Sequence, residues 1–460
     1  MSERLVVIGG DAAGMSAASQ ARRRRGSDDL EIVAFEKGNF TSYSSCGIPY
    51  FVGGAVKDFD ALITRPPEVF RREYSIDART RHEVKEIDLD RRAVKVWDSD
   101  GATESWESFD DLMVGTGAVP IKPPIDGIDL EGIHGVQTLD DGRTIFDDLE
   151  AAKPKRGVVI GAGYIGLEMA EALRARGMDV TVVEKAAQPM STLDPEMAEM
   201  VVDGMTKMGI RFLPEEEVTG FESRSGRVSA VVTKSQTLPA EVVILGLGVR
   251  PNVEVAQGAG IPIGTAGGVA VDRRMSTEID RVWAAGDCAE KFHIVSQVPV
   301  TIPLGTHANK EGRVAGINIG GGYATFPGVA GTAMSKVCDT ELARTGLIES
   351  EAREAGFQFV TSLTESTTRA GYFPETKEIR TKLVVDERSG RLLGGQIVGE
   401  EGAAKRIDVL ATAVWNEMTV EEMINLDLSY APPFSPVWDP VLIAARKAWE
   451  AVEEATSQTD

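Results

Sequence analysis

Two stretches of the chain repeat the same order of apolar and polar positions. Each begins with an apolar run, Val6–Gly9 in one stretch and Val158–Gly161 in the other. Each continues through a glycine-containing turn into an amphipathic segment rich in Ala, Arg and Glu, which predicts a helix. Each closes with a second β-like run that ends in Glu-Lys, at Ile32–Lys37 and Val180–Lys185. The pattern therefore predicts two βαβ units.

A second repeated pattern marks the strand that closes each module. Leu112–Gly117 and Val243–Gly248 are apolar runs that end in Gly-x-Gly and are followed shortly by proline. Thr277–Asp287 returns to a strand pattern that ends in Gly-Asp, and we assign it to the first module. The second module is therefore predicted to be inserted into the first.

From about residue 326 the pattern changes to that of a separate α+β domain. The β-rich runs Lys382–Val385 and Gly395–Val398 precede a helical pattern over Gly402–Glu417. A chain of 460 residues predicts about three domains, which agrees with this division. No apolar run reaches the roughly 18 residues of a spanning helix, and Met1–Leu5 leads directly into a strand, so no signal peptide is expected.

Charge and cysteine content narrow the possible functions. The formal net charge of −22 repels phosphate backbones and anionic lipids, so neither nucleic acid nor a membrane surface is an expected partner. The 3 cysteines include no Cys-x-x-Cys pair, and the 4 histidines show no metal-ligand spacing. We expect neither a disulfide scaffold nor a metal site, and a reducing, cytoplasmic location fits best.

The second module carries a complete GxGxxG sequence, Gly161–Gly166, between the predicted strand and helix. Its glycines permit a tight turn, close approach of a pyrophosphate and packing of the helix on the strand. The helix N-terminus attracts the phosphates. Glu184 follows about 20 residues later, where a carboxylate binds ribose hydroxyls and favours NADH, whereas Lys185 favours NADPH. A non-binding glycine-rich turn is the alternative, but strand, helix and acidic residue in register argue against it.

The first module has Gly9–Gly14 at the same place, with Asp11 where the middle glycine would be. Glu36, at the end of the second strand, supports a nucleotide site despite that substitution. The strand that ends in Gly286–Asp287 can direct a carboxylate at a second polyol, such as the ribityl chain of a flavin. A plain strand terminus is the alternative interpretation of that segment.

Cys46 lies in the segment Thr41–Tyr50, directly after the first βαβ unit, where a loop can carry it to a flavin ring. If a helix begins at Gly47, its dipole lowers the pKa of the thiol and favours the thiolate. A lone cysteine is usually an inert buried residue, but neighbouring hydroxyls and glycine favour a reactive one here. Cys288 and Cys338 lack such neighbours, and we assign them to the core.

These motifs resemble those of the flavin-dependent pyridine nucleotide–disulfide oxidoreductases over nearly the whole chain. The resemblance rests on Gly9–Gly14, Gly115–Gly117, Gly161–Gly166, Gly286–Asp287 and the C-terminal domain. No second cysteine lies near Cys46, so the chain is similar to the single-cysteine branch of coenzyme A disulfide reductases, NADH oxidases and NADH peroxidases. The resemblance implies an α/β fold with two Rossmann-like domains, for FAD and NAD(P), and a C-terminal α+β dimerisation domain.

Within that branch the sequence is most similar to the coenzyme A disulfide reductases. Ser42–Tyr50 contains their cysteine followed by Pro-Tyr, and Tyr430–Pro433 matches their C-terminal domain. Peroxidases place a histidine where this chain has Ala12. Two positions differ from the reductases, because Ser45 replaces an asparagine and Trp438 replaces a lysine. A phosphate-rich ligand would lose contacts there, which bears on the identity of the thiol.

The resemblance also implies domain boundaries and site residues. The FAD-binding domain would span residues 1–120 and 250–325, the NAD(P)-binding domain 121–249 and the dimerisation domain 326–460. The residues expected to hold FAD are Gly9, Gly10, Ala13, Gly14, Glu36, Lys37, Thr116, Gly117 and Asp287. The residues expected to hold NADH, or NADPH, are Gly161, Gly163, Tyr164, Ile165, Gly166, Glu168 and Glu184. In the family, Tyr164 covers the nicotinamide pocket and Glu168 orients the nicotinamide amide.

The expected activity is NAD(P)H-dependent reduction of a small disulfide, with coenzyme A disulfide favoured over a related disulfide or persulfide. Cys46 would form a mixed disulfide, and Tyr372 and Tyr430 from the partner in a homodimer would donate protons. The residues expected to bind the substrate are Gln20, Arg23, Ser42 and Ser45. Arg23 could instead be a solvated residue at the end of a helix. Tyr372 and Tyr430 could instead only pack in the dimer interface.

Two rival functions remain. One is an NADH oxidase that reduces oxygen through a sulfenic acid at Cys46. The other is a non-catalytic redox sensor or electron-transfer flavoprotein that binds both dinucleotides.

Overall fold

The computed structural model describes residues 2–457 of the chain. The first part forms β1 (Glu3–Ile8), α1 (Ala12–Arg22), β2 (Leu30–Glu36), α2 (Ile48–Val52), α3 (Pro67–Tyr74), β3 (Asp77–Thr80), β4 (His82–Asp88), β5 (Ala93–Asp98), β6 (Thr103–Ser108), β7 (Asp111–Val114) and β8 (Ala118–Pro120). The middle part forms β9 (Ile133–Gly135), α4 (Leu139–Ala152), β10 (Arg156–Ile160), α5 (Tyr164–Ala175), β11 (Asp179–Val183), α6 (Pro195–Lys207), β12 (Arg211–Leu213), β13 (Val218–Arg224), β14 (Arg227–Thr233), β15 (Thr237–Pro239), β16 (Val242–Leu245), β17 (Val249–Pro251) and α7 (Glu254–Gly258). The last part forms β18 (Val282–Ala284), β19 (Lys291–Phe292), β20 (Pro299–Val300), α8 (Gly305–Ile319), β21 (Ala333–Val337), β22 (Thr340–Gly346), α9 (Glu349–Glu354), β23 (Phe359–Thr367), β24 (Glu378–Asp386), β25 (Leu392–Gly399), α10 (Ile407–Trp415), α11 (Val420–Ile424) and α12 (Pro440–Ser457). Short 3₁₀ turns cover Ser45–Gly47, Phe59–Leu62 and Ala404–Arg406.

The two repeated sequence patterns become two parallel sheets of the same design. In the first sheet the strand order is β18-β7-β1-β2-β3, and in the second it is β12-β11-β10-β16-β9. Strand β1 pairs in parallel with β2 and β7, just as β10 pairs with β11 and β16. Each central strand is an apolar run buried on both faces, as parallel sheets require. The return of β18 to the first sheet makes that module discontinuous in sequence.

Helices α1 and α8 pack closely on one face of the first sheet because small residues meet at their contact. A Cβ atom at Gly312 would lie 2.2 Å from the carbonyl oxygen of Ala13, and one at Gly316 would lie 2.3 Å from that of Ala17. Larger residues at these positions would separate the helices. The site elements carried by α1 and α8 are therefore held at short range.

The C-terminal domain is an antiparallel sheet of order β21-β22-β25-β24-β23 with helices packed against it. Its apolar core contains Leu383, Ile397, Leu410 and Ala444, all with 0% exposure. The predicted fold class, with two Rossmann-like modules and a C-terminal α+β domain, is confirmed. The domain boundaries themselves stay a prediction.

The C-terminal sheet is joined to the second module by buried polar contacts. Lys382 of β24 is only 1% exposed, and its Nζ lies 2.9 Å from Oδ2 of Asp194. The same ammonium group forms ion pairs with Glu196 and Glu349. Gln396 of β25 accepts a hydrogen bond from the Asp194 backbone N–H (2.7 Å) and donates one to its carboxylate (2.6 Å). We call this group of five residues the interdomain cluster.

One predicted strand is shorter than expected. Only Val282–Ala284 of the segment Thr277–Asp287 is a strand, because the preceding residues form a turn. In that turn the Thr277 hydroxyl donates to the Val282 carbonyl (2.9 Å), and Arg281 has a φ of 59°. Within residues 2–457, no helix is both long and apolar enough to cross a lipid bilayer.

Candidate active site

The two glycine turns are alike at atomic detail. Gly9 and Gly161 have φ angles of 108° and 98°, a region that favours glycine. A Cβ atom at Gly9 would lie 2.1 Å from the carbonyl oxygen of Gly115, and one at Gly161 would lie 2.3 Å from that of Gly246. Gly14 and Gly166 are equally constrained, since a Cβ at either would lie 2.0 Å from the carbonyl oxygen of the turn's first glycine. Both turns thus bring a strand end and a helix N-terminus together, the geometry that receives a pyrophosphate.

The two acidic residues at the ends of β2 and β11 also hold equivalent positions. The carboxylate of Glu36 accepts hydrogen bonds from the backbone N–H groups of Gly10 (2.8 Å) and Gly38 (2.7 Å). Glu184 likewise accepts from Ala162 (2.7 Å) and Ala186 (2.9 Å). Each carboxylate is therefore fixed beside its glycine turn, where ribose hydroxyls of a bound nucleotide would lie. Burial raises the pKa of Glu36.

Asp11 has a role that the sequence pattern did not reveal. At the equivalent place in the second module, a Cβ on Gly163 would meet no atom within 4 Å, so space is open there. In the first module, Oδ1 of Asp11 accepts a hydrogen bond from the backbone N–H of Tyr43 (3.1 Å). Burial raises the pKa of Asp11 to about 6. The substitution that weakens the glycine motif thus ties the turn to the loop that carries Cys46.

The first module fits FAD, because a buried acceptor at its edge has no partner in the described part of the chain. Oδ1 of Asp287 is inaccessible to solvent and makes no hydrogen bond to residues 2–457. Burial raises the pKa of this carboxyl group. A polyol hydroxyl, such as one of a flavin's ribityl chain, would supply the missing donor. The structure places three other residues predicted to hold FAD as follows. The Thr116 hydroxyl donates to the Asn252 carbonyl (2.6 Å) and Gly117 has a φ of 71°. The Lys37 side chain is exposed.

The second module presents its predicted residues along the first turns of α5. Tyr164 is largely buried, and burial raises the pKa of its hydroxyl group. Ile165, the next residue, is half-buried and packs against the core. Oε1 of Glu168 accepts a hydrogen bond from the Ser335 hydroxyl (2.6 Å), which is supplied by the C-terminal domain. Ser335 is a site residue that no motif in the sequence indicated.

Lys185, which left the choice between NADH and NADPH open, has a carboxylate partner. Its Nζ lies 2.9 Å from Oε1 of Glu217, and Lys234 pairs with the other oxygen of the same carboxylate. The two lysines lower the pKa of Glu217 to about 2. The positive charge next to Glu184 is therefore partly neutralised by Glu217.

Cys46 is exposed in the 3₁₀ turn Ser45–Gly47, directly before α2, which packs in one apolar cluster with α5 of the second module. Its sulfur is close enough to Glu168 on α5 and to Asp287 beside the flavin site for both charges to act on it. The structure thus brings together three predicted site residues that lie far apart in sequence. Buried Cys288 and Cys338 belong to the core, as predicted.

The expected lowering of the Cys46 pKa is wrong. The pKa of this thiol is raised, mainly by partial burial and then by the negative charge of Glu168. The Ser45 side chain hydrogen-bonds the sulfur and opposes the rise without cancelling it. The helix after the cysteine, Ile48–Val52, has only 5 residues, so its dipole is too small to outweigh burial and a nearby carboxylate.

The predicted substrate residues lie in two parts of the first module, the loop that carries Cys46 and the C-terminal end of α1. Ser42 has a φ of 46°, and its backbone N–H donates to the Gly10 carbonyl (2.9 Å), so the loop is tied to the glycine turn. Gln20 lies on α1, and exposed Arg23, directly after the helix, donates to the Gln20 side-chain oxygen (3.4 Å). Their contacts with a ligand stay a prediction.

Tyr372 and Tyr430 lie together on the surface of the C-terminal domain. Their side chains are 77% and 45% exposed, and a hydrogen bond joins the two hydroxyl groups. This bond raises the pKa of Tyr430. Among residues 2–457, no group of three His, Cys, Asp or Glu side chains is arranged as a metal site.

Comparison with known proteins agrees with this geometry. The family profile of pyridine nucleotide-disulphide oxidoreductases matches residues 3–312, and that of their dimerisation domain matches residues 332–440. An NADH oxidase of Methanocaldococcus jannaschii is 40% identical over 449 residues, with 97% of this chain and 98% of that protein covered. An NAD(P)H coenzyme A polysulfide/persulfide reductase of Pyrococcus horikoshii is 39% identical over 448 residues, with the same shares covered.

Among solved structures, the NAD-dependent persulfide reductase from A. fulgidus superposes with a TM-score of 0.94 at 41% identity. The match covers 98% of this chain and 84% of that one. The glycine turns, the two fixed carboxylates and the unpartnered Asp287 carboxylate are thus found in a chain whose homology spans almost its full length. The chain belongs to the pyridine nucleotide-disulphide oxidoreductase family and is an FAD-dependent enzyme that uses a nicotinamide dinucleotide.

Proposed function

We propose that this enzyme reduces coenzyme A disulfide, or the related coenzyme A persulfide, with NADH through Cys46. The observation that carries the proposal is the position of Cys46. An exposed, lone thiol lies within electrostatic reach of Glu168 on the NAD(P) helix and of Asp287 beside the flavin site. A thiol beside the flavin can receive the electrons that FAD takes from NADH, and an exposed thiol is open to a substrate from solvent. The relative from Pyrococcus horikoshii is named for coenzyme A persulfides.

A basic surface beside the site supports a ligand that carries phosphates. Arg23 at the end of α1 and Lys310 and Arg313 on α8 are exposed, and none forms an ion pair within residues 2–457. The two helices are joined here, since the Ser16 hydroxyl donates to Oδ1 of Asn309 (2.9 Å). Cations on this pair of neighbouring helices would complement an anionic ligand. The nucleotide end of coenzyme A is such an anion.

FAD and Cys46 would carry different parts of the reaction. FAD, when bound, supplies the relay that takes two electrons from NADH to sulfur. The thiolate of Cys46 attacks one sulfur of the substrate disulfide, forms a mixed disulfide and releases the other half as a thiolate. Two electrons and one proton then convert the mixed disulfide to the Cys46 thiolate and a second free thiol. In sum, one disulfide, one NADH and one proton yield two thiols and NAD⁺.

A homodimer would complete the site. Tyr372, Phe434 and Val437 on the C-terminal domain are 77%, 76% and 68% exposed, an apolar surface that a second copy would cover. The match to a dimerisation domain supports this arrangement. The paired hydroxyls of Tyr372 and Tyr430 would then reach the sulfur of the other subunit and protonate the leaving thiolate.

Replacing Cys46 by serine tests the proposal. The Cys46→Ser variant should retain FAD, seen by its visible absorption, and lose NADH-dependent reduction of coenzyme A disulfide. The reason is that no thiolate remains to form the mixed disulfide. The Cys338→Ala variant, which removes a buried thiol, is the control and should keep turnover. Full turnover by Cys46→Ser, or no coenzyme A mass increment on Cys46 after denaturation of the wild type, would overturn the proposal.

Oxygen reduction is the second candidate, because a relative with 40% identity is named NADH oxidase. In that case one NADH would reduce oxygen to hydrogen peroxide, and the peroxide would oxidise the Cys46 thiolate to a sulfenic acid with release of hydroxide. A second NADH would then reduce the sulfenic acid to the thiolate and water. Oxygen-electrode traces with and without coenzyme A disulfide separate the two functions. Oxygen consumption that the disulfide does not suppress would favour the oxidase.

A further inference from the structure

Lys291 and Glu311 form a fully buried ion pair that the proposed chemistry does not use. Both side chains are 0% exposed, and Nζ of Lys291 lies 3.6 Å from Oε2 of Glu311. Lys291 begins β19, whereas Glu311 lies in the middle of α8. Two charges removed from water are costly and persist only where further hydrogen bonds satisfy them. The hydrogen bonds that the pair makes to the surrounding backbone therefore indicate its role.

The pair holds both polar backbone atoms of one residue, Gly286. The N–H group of Gly286 donates to Oε2 of Glu311 (2.8 Å), and its carbonyl accepts from Nζ of Lys291 (2.8 Å). Lys291 also donates to the Ala289 carbonyl (3.1 Å). Gly286 has a φ of 84°, and a Cβ there would lie 2.8 Å from the side chain of Ala13. Gly286 is thus held through its N–H group by the carboxyl group of Glu311, whose pKa burial raises to about 7, and through its carbonyl by the ammonium group of Lys291.

The next residue is Asp287, whose orientation follows from that of Gly286. Oδ1 of Asp287 is buried and has no partner among residues 2–457, and the same holds for Oε1 of Glu311. Nδ1 of His307, one turn before Glu311 on α8, is a third buried atom without a partner. Burial lowers the pKa of His307 to about 4, so its ring is neutral at pH 7. Three unsatisfied polar atoms around one turn indicate a ligand with several hydroxyl groups.

We propose that Lys291 and Glu311 are positioning residues for FAD, because their ion pair fixes Gly286 and so directs the carboxylate of Asp287 at the cofactor's polyol. No motif indicated either residue, and neither touches the reacting sulfur. The effect concerns retention of the cofactor and is independent of which disulfide the enzyme reduces.

Release of FAD from the holoenzyme tests the proposal. The Glu311→Gln variant keeps the size of the side chain and an acceptor for Gly286 but removes the charge. The Lys291→Met variant removes the donor to the Gly286 carbonyl. Each should release FAD about tenfold faster than wild type, because Glu311→Gln weakens one charge-assisted hydrogen bond to Gly286 and Lys291→Met removes the other. The readout is the fluorescence of freed flavin at a temperature where circular dichroism shows every variant folded.

Two further variants separate positioning from general destabilisation. Lys382→Met removes another buried lysine, far from this turn in the fold, and should lower the unfolding temperature without faster flavin release. Asp287→Ala should release FAD faster, and adding Lys291→Met to it should cause little further change, because Lys291 acts through Asp287. If Lys291→Met does not fold, Glu311→Gln decides alone. Unchanged release in Glu311→Gln, or fully additive effects in the double variant, would overturn the proposal.

Discussion

Replacing Lys382 by methionine should destabilise the contact between the second module and the C-terminal domain. Lys382 is the single cation of the interdomain cluster, and it faces the carboxylates of Asp194, Glu196 and Glu349. Burial alone would lower the pKa of Lys382, but its hydrogen bonds to these three groups outweigh burial and raise it. Methionine preserves the length of the side chain and its packing. The variant therefore removes the charge and leaves three carboxylates facing one another.

The size of the effect follows from burial. Lys382 is 1% exposed and Asp194 is 4% exposed, so at least one carboxylate is left almost without solvent. Breaking a buried pair by removing one partner costs about 3–5 kcal/mol. The Glu196 and Glu349 side chains are 35% and 31% exposed, so water compensates for part of their loss. We expect about 3 kcal/mol, or a fall of roughly 6–12 °C in melting temperature for a cooperative unit of 150–250 residues.

Thermal unfolding followed by circular dichroism measures this loss. Lys336→Met is the matched control, because Lys336 is half-exposed and its Nζ lies 3.7 Å from Oε1 of Glu171. Loss of such a surface ion pair should change the melting temperature little. The deficit should also depend on pH. Lys382 lowers the pKa of Glu196, so this stabilisation is present above the ordinary value of 4.5 and is lost as the pH falls. Equal melting temperatures for Lys382→Met and Lys336→Met, or a deficit that grows in acid, would refute the reasoning.

Two other predictions concern the site. Glu168→Gln removes a charge that raises the pKa of Cys46, so alkylation of Cys46 by iodoacetamide should reach its plateau at lower pH, with Glu171→Gln as the unshifted control. An identical pH profile in both variants would contradict the role given to Glu168. Glu217→Gln removes the carboxylate that pairs with Lys185, so Lys185 becomes free to bind the 2′-phosphate of NADPH. The dissociation constant of NADPH, measured by fluorescence titration, should fall by about fivefold at most, as expected for a surface ion pair. The dissociation constant of NADH should stay constant. Parallel changes for both nucleotides would count against this interpretation.

Local requirements of the backbone made much of the fold predictable. Gly9 and Gly161 sit at positive φ in contact with a neighbouring strand end, so short windows of sequence reveal both turns. The apolar runs of β1 and β10 reveal the buried parallel strands in the same way. Glu36 and Glu184 follow from their distance to the turns, and the structure fixes each beside its glycines.

Charges drawn together from distant segments could not be predicted in this way. The thiol of Cys46 was expected to be acidic from its local helix, but Glu168 and burial raise its pKa. Lys291 and Lys382 look in the sequence like ordinary surface lysines, yet both are buried against carboxylates from other elements. Periodicity and turn chemistry act within a few residues, so they can be recognised from short stretches of the sequence. Burial of a charge and the choice of its partner depend on which segments pack together, and only the tertiary structure decides that.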